Sequence, residues 1–259
     1  MGQLLSIPDD VAAELDVLVD NLVTEDDTPV DNLLAEKQQR LLTEPLYSSW
    51  TGLPHDAPHP GRRRRFLVAA NVGLFPSVRQ PPLVPDVFLS LDVTVARDWH
   101  EKRHRSYFFW EFGKPPEVVI EIVSNREGHE MGRKLNDYAQ MGIIYYIVYD
   151  PLRQLGDQVL QVFEKQRVQY QPFSGSTLPG VGLGVGLWEG EYEGQHATWL
   201  RWCDEQGHVI PTGAERATRE AERATREATA RQQAEAELAQ VRAELERLRQ
   251  RQGSEPQAE

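Results

Sequence analysis

The sequence contains very little cysteine: Cys203 is the single one among 259 residues. One cysteine cannot form a disulfide within the chain, which excludes a disulfide-stabilised secreted fold and indicates a reducing, intracellular compartment. Cys203 follows Trp202. A lone cysteine beside a large aromatic residue is more typical of a small packed side chain than of a nucleophile.

Long apolar runs are also missing. No stretch approaches the roughly 20 consecutive apolar residues that cross a bilayer as a helix. The first ten residues, MGQLLSIPDD, lack the basic segment and apolar core of a signal peptide. These absences predict a soluble, cytoplasmic protein with no membrane partner.

Basic residues are outnumbered, with 28 Lys and Arg against 40 Asp and Glu, so the formal net charge is -12. This balance excludes a general nucleic-acid coat protein, because affinity for a phosphate backbone comes mainly from Lys and Arg. It leaves room for a local basic groove. Residues 1–35 contain nine acidic residues and no basic ones, which predicts an acidic N-terminal arm over residues 1–29.

The middle of the chain alternates between helical and strand patterns. With 40% hydrophobic residues, the chain can bury one sizeable core, and we place this body at residues 30–210. The spacing of leucines predicts a first helix over 31–46. Apolar runs predict strands, and a Gly142 stop predicts the end of a second helix. The runs are FLVAANVGLF, PDVFLSLDV, EVVIEIV, the central IIYYIVYDP, an edge hairpin DQVLQVFEKQRVQYQPF and a closing hairpin over 188–210.

The C-terminal segment changes character abruptly. Between Gly213 and Gln252 there is no Pro, aromatic residue or Asp, and Ala, Glu, Arg and Gln dominate, which predicts one long helix over 213–252. Large and small apolar residues recur there at spacings of four and three, as in a coiled-coil seam: Ala234, Leu238, Val241, Leu245 and Leu248. We expect this helix to pair with a second copy or another protein, and residues 253–259 to form a flexible tail.

Two carboxylates stand in apolar surroundings. Asp86 opens the run PDVFLSLDV, and Glu121 lies inside EVVIEIV. A buried ionised carboxylate costs several kcal/mol unless it is paired, so Glu121 needs a partner, either in a structural ion pair or at a functional site. Lys134 lies four residues before Tyr138 and borders the helix face that packs on the sheet. Its ammonium is the candidate partner.

Basic clusters offer a second set of candidates. The run of four arginines at 62–65 would contact a phosphate backbone at the mouth of a cleft, through Arg63 and Arg64, or would form a solvated loop end. The segment WHEKRHRSYFFWEFGKPP interleaves basic and aromatic residues. It would stack on bases, or its aromatic half would cover one end of the sheet.

The order of these motifs resembles the Uma-type restriction endonuclease family of the PD-(D/E)xK nuclease superfamily, over roughly residues 30–205. The motifs that carry the resemblance are Pro85-Asp86, the run Glu121-Ile122-Val123-Ser124, Lys134 with Tyr138, and Tyr145-Tyr146 leading to Asp150-Pro151. The resemblance implies an α/β, restriction-endonuclease-like fold with a mixed central sheet flanked by helices, plus a long C-terminal helix.

The resemblance also implies a chemistry. Asp86 and Glu121 would hold Mg²⁺, with Mn²⁺ as an alternative, and Lys134 would position or activate the water that attacks DNA. The lysine usual two residues after the glutamate is absent, because position 123 is Val; Lys134 on the following helix would replace it. Glu36 would be a further acid. The competing interpretation is a non-catalytic, nuclease-like scaffold that binds partners through its C-terminal helix.

Overall fold

The computed structural model describes residues 14, 17–24, 32–50, 52, 64–124 and 130–252. Most of the acidic arm, Arg63 and the tail 253–259 lie outside these residues. The helices are α1 Leu33–Ser49, α2 Phe109–Phe112, α3 Leu135–Met141 and α4 Gly213–Gln252. The strands are β1 Phe66–Ala70, β2 Leu74–Phe75, β3 Val87–Leu91, β4 Tyr107–Phe108, β5 Val118–Ile122, β6 Tyr145–Tyr149, β7 Leu160–Gln166, β8 Gln169–Pro172, β9 Gly184–Tyr192 and β10 Gln195–Cys203.

The central sheet has six strands in the order β1-β3-β5-β6-β7-β8. Its β5 and β6 run parallel, whereas the other neighbours in this sheet are antiparallel. The fully buried β6 lies inside the sheet, and β7 with β8 forms the edge hairpin. This mixed sheet with flanking helices confirms the predicted α/β, restriction-endonuclease-like fold.

The two faces of the sheet bury different side chains, because successive residues of a strand point to opposite sides. Val118, Ile120 and Ile122 of β5 pack into a core shared with α1 and the β9–β10 hairpin. Val119 and Val123 instead pack with α3 and the short β2–β4 sheet. Glu121 therefore points toward the side of the sheet that α3 covers.

One apolar run behaves differently from its prediction. FLVAANVGLF was expected as a strand, but β1 ends at Ala70 and β2 begins at Leu74. Asn71 between them has φ +54, a left-handed conformation that asparagine tolerates better than most residues and that ends the strand. The segment after the break pairs with β4 instead of the central sheet.

Helix α1 packs on the central sheet through a face that includes two glutamines. The side chain of Asn32 caps it by accepting a hydrogen bond from the N–H of Ala35 at 2.9 Å. Gln38 is fully buried and exchanges two hydrogen bonds with the backbone of Leu200 in β10. Gln39, also buried, turns toward the start of β3.

Helix α3 is entered through a π-helical turn, Glu130–Lys134. It ends where predicted, since Gly142 has φ +90 and donates its N–H to the carbonyl of Ala139. The π turn was not predicted from the sequence. Such turns are frequent at functional sites.

The aromatic half of the basic and aromatic segment packs in the core. Tyr107 and Phe108 are buried; the ring of Tyr107 stacks on Phe112, and its hydroxyl lies 2.8 Å from the hydroxyl of Ser90. These contacts confirm the packing alternative for this half. In the basic half, Trp99 is exposed, and Lys102 donates to two backbone carbonyls of the segment 17–24.

The chain divides into two compact units, Met1–Ile210 and Pro211–Glu259. In the second unit, α4 begins with a capping box: Thr212 and Glu215 exchange hydrogen bonds between their side chains and backbone N–H groups. Arg and Glu residues four apart pair along the helix. Among the described helices, none is sufficiently long and apolar to cross a membrane.

Candidate active site

The two candidate carboxylates face each other across neighbouring strands. The antiparallel register pairs Val87 of β3 with Ile120 of β5, so the next pair outward is Asp86 with Glu121. Both side chains point toward the α3 side, because each is two residues from a side chain in that core, Phe88 or Val119. The fold thus brings together two acids that are 35 positions apart in sequence.

Glu121 is almost completely buried, with 2% of its surface exposed. Its Oε2 accepts a hydrogen bond from the Lys134 ammonium at 2.9 Å, and its Oε1 accepts one from the Tyr138 hydroxyl at 2.6 Å. Both donors come from consecutive turns of one helical segment, since residues four apart share a helix face. Lys134 is therefore the partner that the buried glutamate requires.

Asp86 is held by groups from three other parts of the chain. Its Oδ2 accepts from the N–H of Ile122 at 2.7 Å, and its Oδ1 accepts from the side-chain amide of Gln39 at 2.9 Å. Gln39 also exchanges two side-chain hydrogen bonds with Asn71. The backbone N–H of Asn71 in turn donates to the carbonyl of Asp86 at 3.2 Å. These contacts fix the orientation of the carboxylate.

The two carboxyl groups hold their protons more strongly than exposed ones. Burial raises the pKa of Glu121 to about 8; the Lys134 ammonium opposes this rise and the neighbouring Asp86 carboxylate adds to it. Burial also raises the pKa of Asp86, against the Ile122 N–H and the Gln39 amide, which favour its ionised form. A positive charge placed between the two carboxylates would relieve both effects.

The donor set fits a hard divalent cation. Mg²⁺ prefers oxygen ligands, keeps several waters and is commonly held by only one or two carboxylates. Each carboxylate oxygen of Asp86 and Glu121 takes one of the four hydrogen bonds described above, and each such oxygen has a second lone pair. The described ranges contain no cluster of three or more His, Cys, Asp or Glu that could hold a metal ion; Asp86 and Glu121 are a pair of acids that could hold one.

Glu36, the predicted further acid, lies elsewhere on α1. Its carboxylate pairs with Arg40 at 2.6 Å, and Arg40 also pairs with Glu193 in the turn of the β9–β10 hairpin. The α1 side chain that contacts Asp86 is Gln39, three residues later, because it lies on the buried face of the helix.

The structure does not bring Arg64 to the carboxylates. The Arg64 guanidinium pairs with Asp92 at 2.7 Å and donates to the carbonyl of Gly180 at 2.9 Å. Asp92 follows β3, whereas Asp86 precedes it, so a strand rise of about 3.4 Å per residue separates them by about 20 Å. Arg63 lies outside the described residues, and the role of both arginines stays a prediction.

Three residues of the site were not assigned a role from sequence. Tyr138 was placed on the packing face of its helix, and its spacing of four from Lys134 was the available signal. The signal for Gln39 is a polar pair, Gln38-Gln39, inside an apolar helix pattern. Asn71 gave only the weak signal of an asparagine that interrupts an apolar run.

Comparison with known proteins agrees with this geometry. One family model, Uma2, described as "Putative restriction endonuclease", matches residues 20–188. No curated protein and no solved structure matches the chain. The matched region includes every residue of the site and well over half of the sequence, and the chain therefore belongs to the Uma2 family.

Proposed function

We propose that this protein is a Mg²⁺-dependent endonuclease that hydrolyses phosphodiester bonds in DNA, with Mn²⁺ able to replace Mg²⁺. Asp86 and Glu121 would hold the metal ion. When bound, Mg²⁺ supplies Lewis acidity that makes water a better nucleophile and neutralises charge developing on the phosphate. Family membership supports nuclease activity, and the paired carboxylates support the metal dependence.

The observation that carries the proposal is the contact between Lys134 and Glu121. The lysine is anchored at one end by a buried carboxylate, yet 28% of its side chain is exposed. An ammonium has three donors, so Lys134 can hold Glu121 and also orient a water molecule or a phosphate oxygen. If the Lys134–Glu121 pair were purely structural, it would not require a second acid, Asp86, on the neighbouring strand opposite Glu121.

The remaining residues hold these three groups in position. Tyr138 fixes Glu121 through its hydroxyl, and Gln39 fixes Asp86 through its amide. Partners of this kind orient metal-binding carboxylates and affect activity strongly when they are removed. We therefore assign Tyr138 and Gln39 as positioning residues.

The test is cleavage of supercoiled plasmid in Mg²⁺ or Mn²⁺ by the full chain. Asp86→Asn, Glu121→Gln and Lys134→Met should each lower the cleavage rate at least a hundredfold. Lys165→Met is the matched control, because β7 places Lys165 at the opposite end of β6 from the site. Cleavage that persists in EDTA, or in the Glu121→Gln variant, would refute the mechanism.

A role of α4 in protein association has its own support. Leu238, Val241 and Leu245 follow the spacing of a coiled-coil seam, and about half of each side chain is exposed. We propose that this stripe pairs with a second copy or another helix. Sedimentation of the full chain should show a dimer that Leu238→Glu with Leu245→Glu converts to monomer; a monomeric parent protein would limit the stripe to other partners.

A further inference from the structure

A pocket of about 360 Å³ lies between α3, the loop 76–83 and Phe109 at the start of α2. Its apolar wall includes Leu83, Phe109 and Met141, and its polar groups include Gln80, Asp137 and Gln140. Arg133 also lines it. Its volume is at the low end of the roughly 300–1,000 Å³ typical of small-molecule sites. A single nucleotide suits this volume better than a peptide does.

The pocket adjoins the candidate active site along one helical segment. Arg133 and Asp137 line the pocket, whereas Lys134 and Tyr138, the next residues in sequence, contact Glu121. Consecutive Cα atoms are about 3.8 Å apart. The pocket and the candidate active site are thus lined by neighbouring residues of one helical segment.

The charges in the pocket favour a neutral ligand. Arg133 is 79% exposed on its side chain, but its guanidinium pairs with the Asp137 carboxylate at 3.2 Å. This pair cancels the attraction that a lone arginine would have for phosphate, and the carboxylate itself repels phosphate. A flat base fits better, since an aromatic ring and aliphatic side chains can pack on its face.

We propose that this pocket binds one base of the DNA substrate and prefers bases that carry an amino group. The proposal rests on the proposed nuclease function. Asp137 can only accept hydrogen bonds when ionised, and carboxylates recognise the amino group of cytosine, whereas thymine offers a carbonyl at the same place. The Gln80 and Gln140 amides can donate or accept, so they add affinity without this discrimination.

The test compares binding of two single-stranded oligonucleotides, oligo(dC) and oligo(dT), to the full chain by fluorescence anisotropy in EDTA. Both bases are pyrimidines. They differ in the group that would contact Asp137, which is an amino group in cytosine and a carbonyl in thymine. A good base contact contributes about 1–3 kcal/mol of discrimination, so oligo(dC) should bind roughly fivefold to a hundredfold more tightly. Asp137→Asn should bring this ratio close to one.

Two further variants control the result. Asp157→Asn removes an exposed carboxylate from the loop after β6 and should leave the ratio unchanged. Gln80→Ala should weaken binding of both oligonucleotides while most of the preference remains. Asp137→Asn also releases Arg133, which raises affinity for both oligonucleotides, and for this reason the ratio of affinities is measured.

The outcomes separate this proposal from the nuclease function, because binding is measured without cleavage. Equal affinities of the parent protein for oligo(dC) and oligo(dT), or no binding to either, overturn the base pocket even if plasmid is cleaved. A preference that survives Asp137→Asn also overturns it. A preference that this substitution abolishes supports the pocket, and it does so even if the parent protein fails to cut plasmid.

Discussion

Replacing Glu121 by Gln should stabilise the metal-free protein at neutral and alkaline pH. Burial raises the pKa of this carboxyl from an ordinary 4.5 to about 8. In the unfolded chain the group ionises near 4.5, whereas in the folded protein it keeps its proton up to about pH 8. The folded state therefore binds more protons between these two values, and stability falls as the pH rises through this window.

The size of the effect follows from the same pKa values. One pKa unit corresponds to 1.36 kcal/mol, so the full difference between 4.5 and about 8 is about 5 kcal/mol, of which about 3 kcal/mol is reached at pH 7. Gln cannot ionise and loses this dependence. It also changes the acceptor of the Lys134 hydrogen bond from a carboxyl to an amide oxygen, at a cost of about 1 kcal/mol.

The assay is thermal unfolding in EDTA between pH 5 and pH 8.5. The stability difference between the Glu121→Gln variant and the parent protein should grow by about 4 kcal/mol across this range, which is about 8–16 °C in Tm for a chain of this size. Glu191→Gln removes an exposed carboxylate from β9 and should show no such trend. A variant with the same pH dependence as the parent protein would refute the reasoning.

Three further changes have defined outcomes. Gln39→Ala removes a hydrogen bond to Asp86 and should lower the free energy of unfolding in urea by about 1–3 kcal/mol; an unchanged midpoint would contradict the described contact. Arg63→Ala with Arg64→Ala should weaken DNA binding at all sequences and reduce the slope of log affinity against log salt by roughly two, whereas equal slopes would place both arginines outside the DNA site. A chain ending at residue 212 should unfold at the same Tm as residues 1–210 do in the full protein, because the described side chains of α4 are almost all exposed. A much lower Tm would show that folding of residues 1–210 requires α4.

Much of the sheet and both acids were predictable because their signals are local. The burial of all five residues of β5 follows from its apolar run, and a polar Glu121 in that run requires a partner nearby. Lys134 could be proposed because helical spacing places it with Tyr138 on a sheet-facing surface. These arguments need only the side-chain periodicity within one strand and within one helix.

The rest of the site depends on contacts between distant segments. Gln39 meets Asp86 across 47 positions of sequence, and no periodicity in α1 identifies which strand it will touch. Glu36 was predicted as a further acid of the site because a carboxylate matches the expected chemistry. Its position on α1 instead places its carboxylate in an ion pair with Arg40. The pocket lined by Phe109 of α2, by α3 and by the loop 76–83 likewise exists only once these segments are assembled.

The proposed catalytic lysine, Lys134, lies on a helical segment and not on β5. The strand position where a lysine is usual holds Val123, which is buried in the core with α3, so β5 keeps its packing whatever residue follows on the helix. Lys134 is partly exposed, so its replacement by Met would change the partner of Glu121 and not the packing of β5. The packing of the sheet and the cation that contacts Glu121 are thus specified by separate segments of the chain.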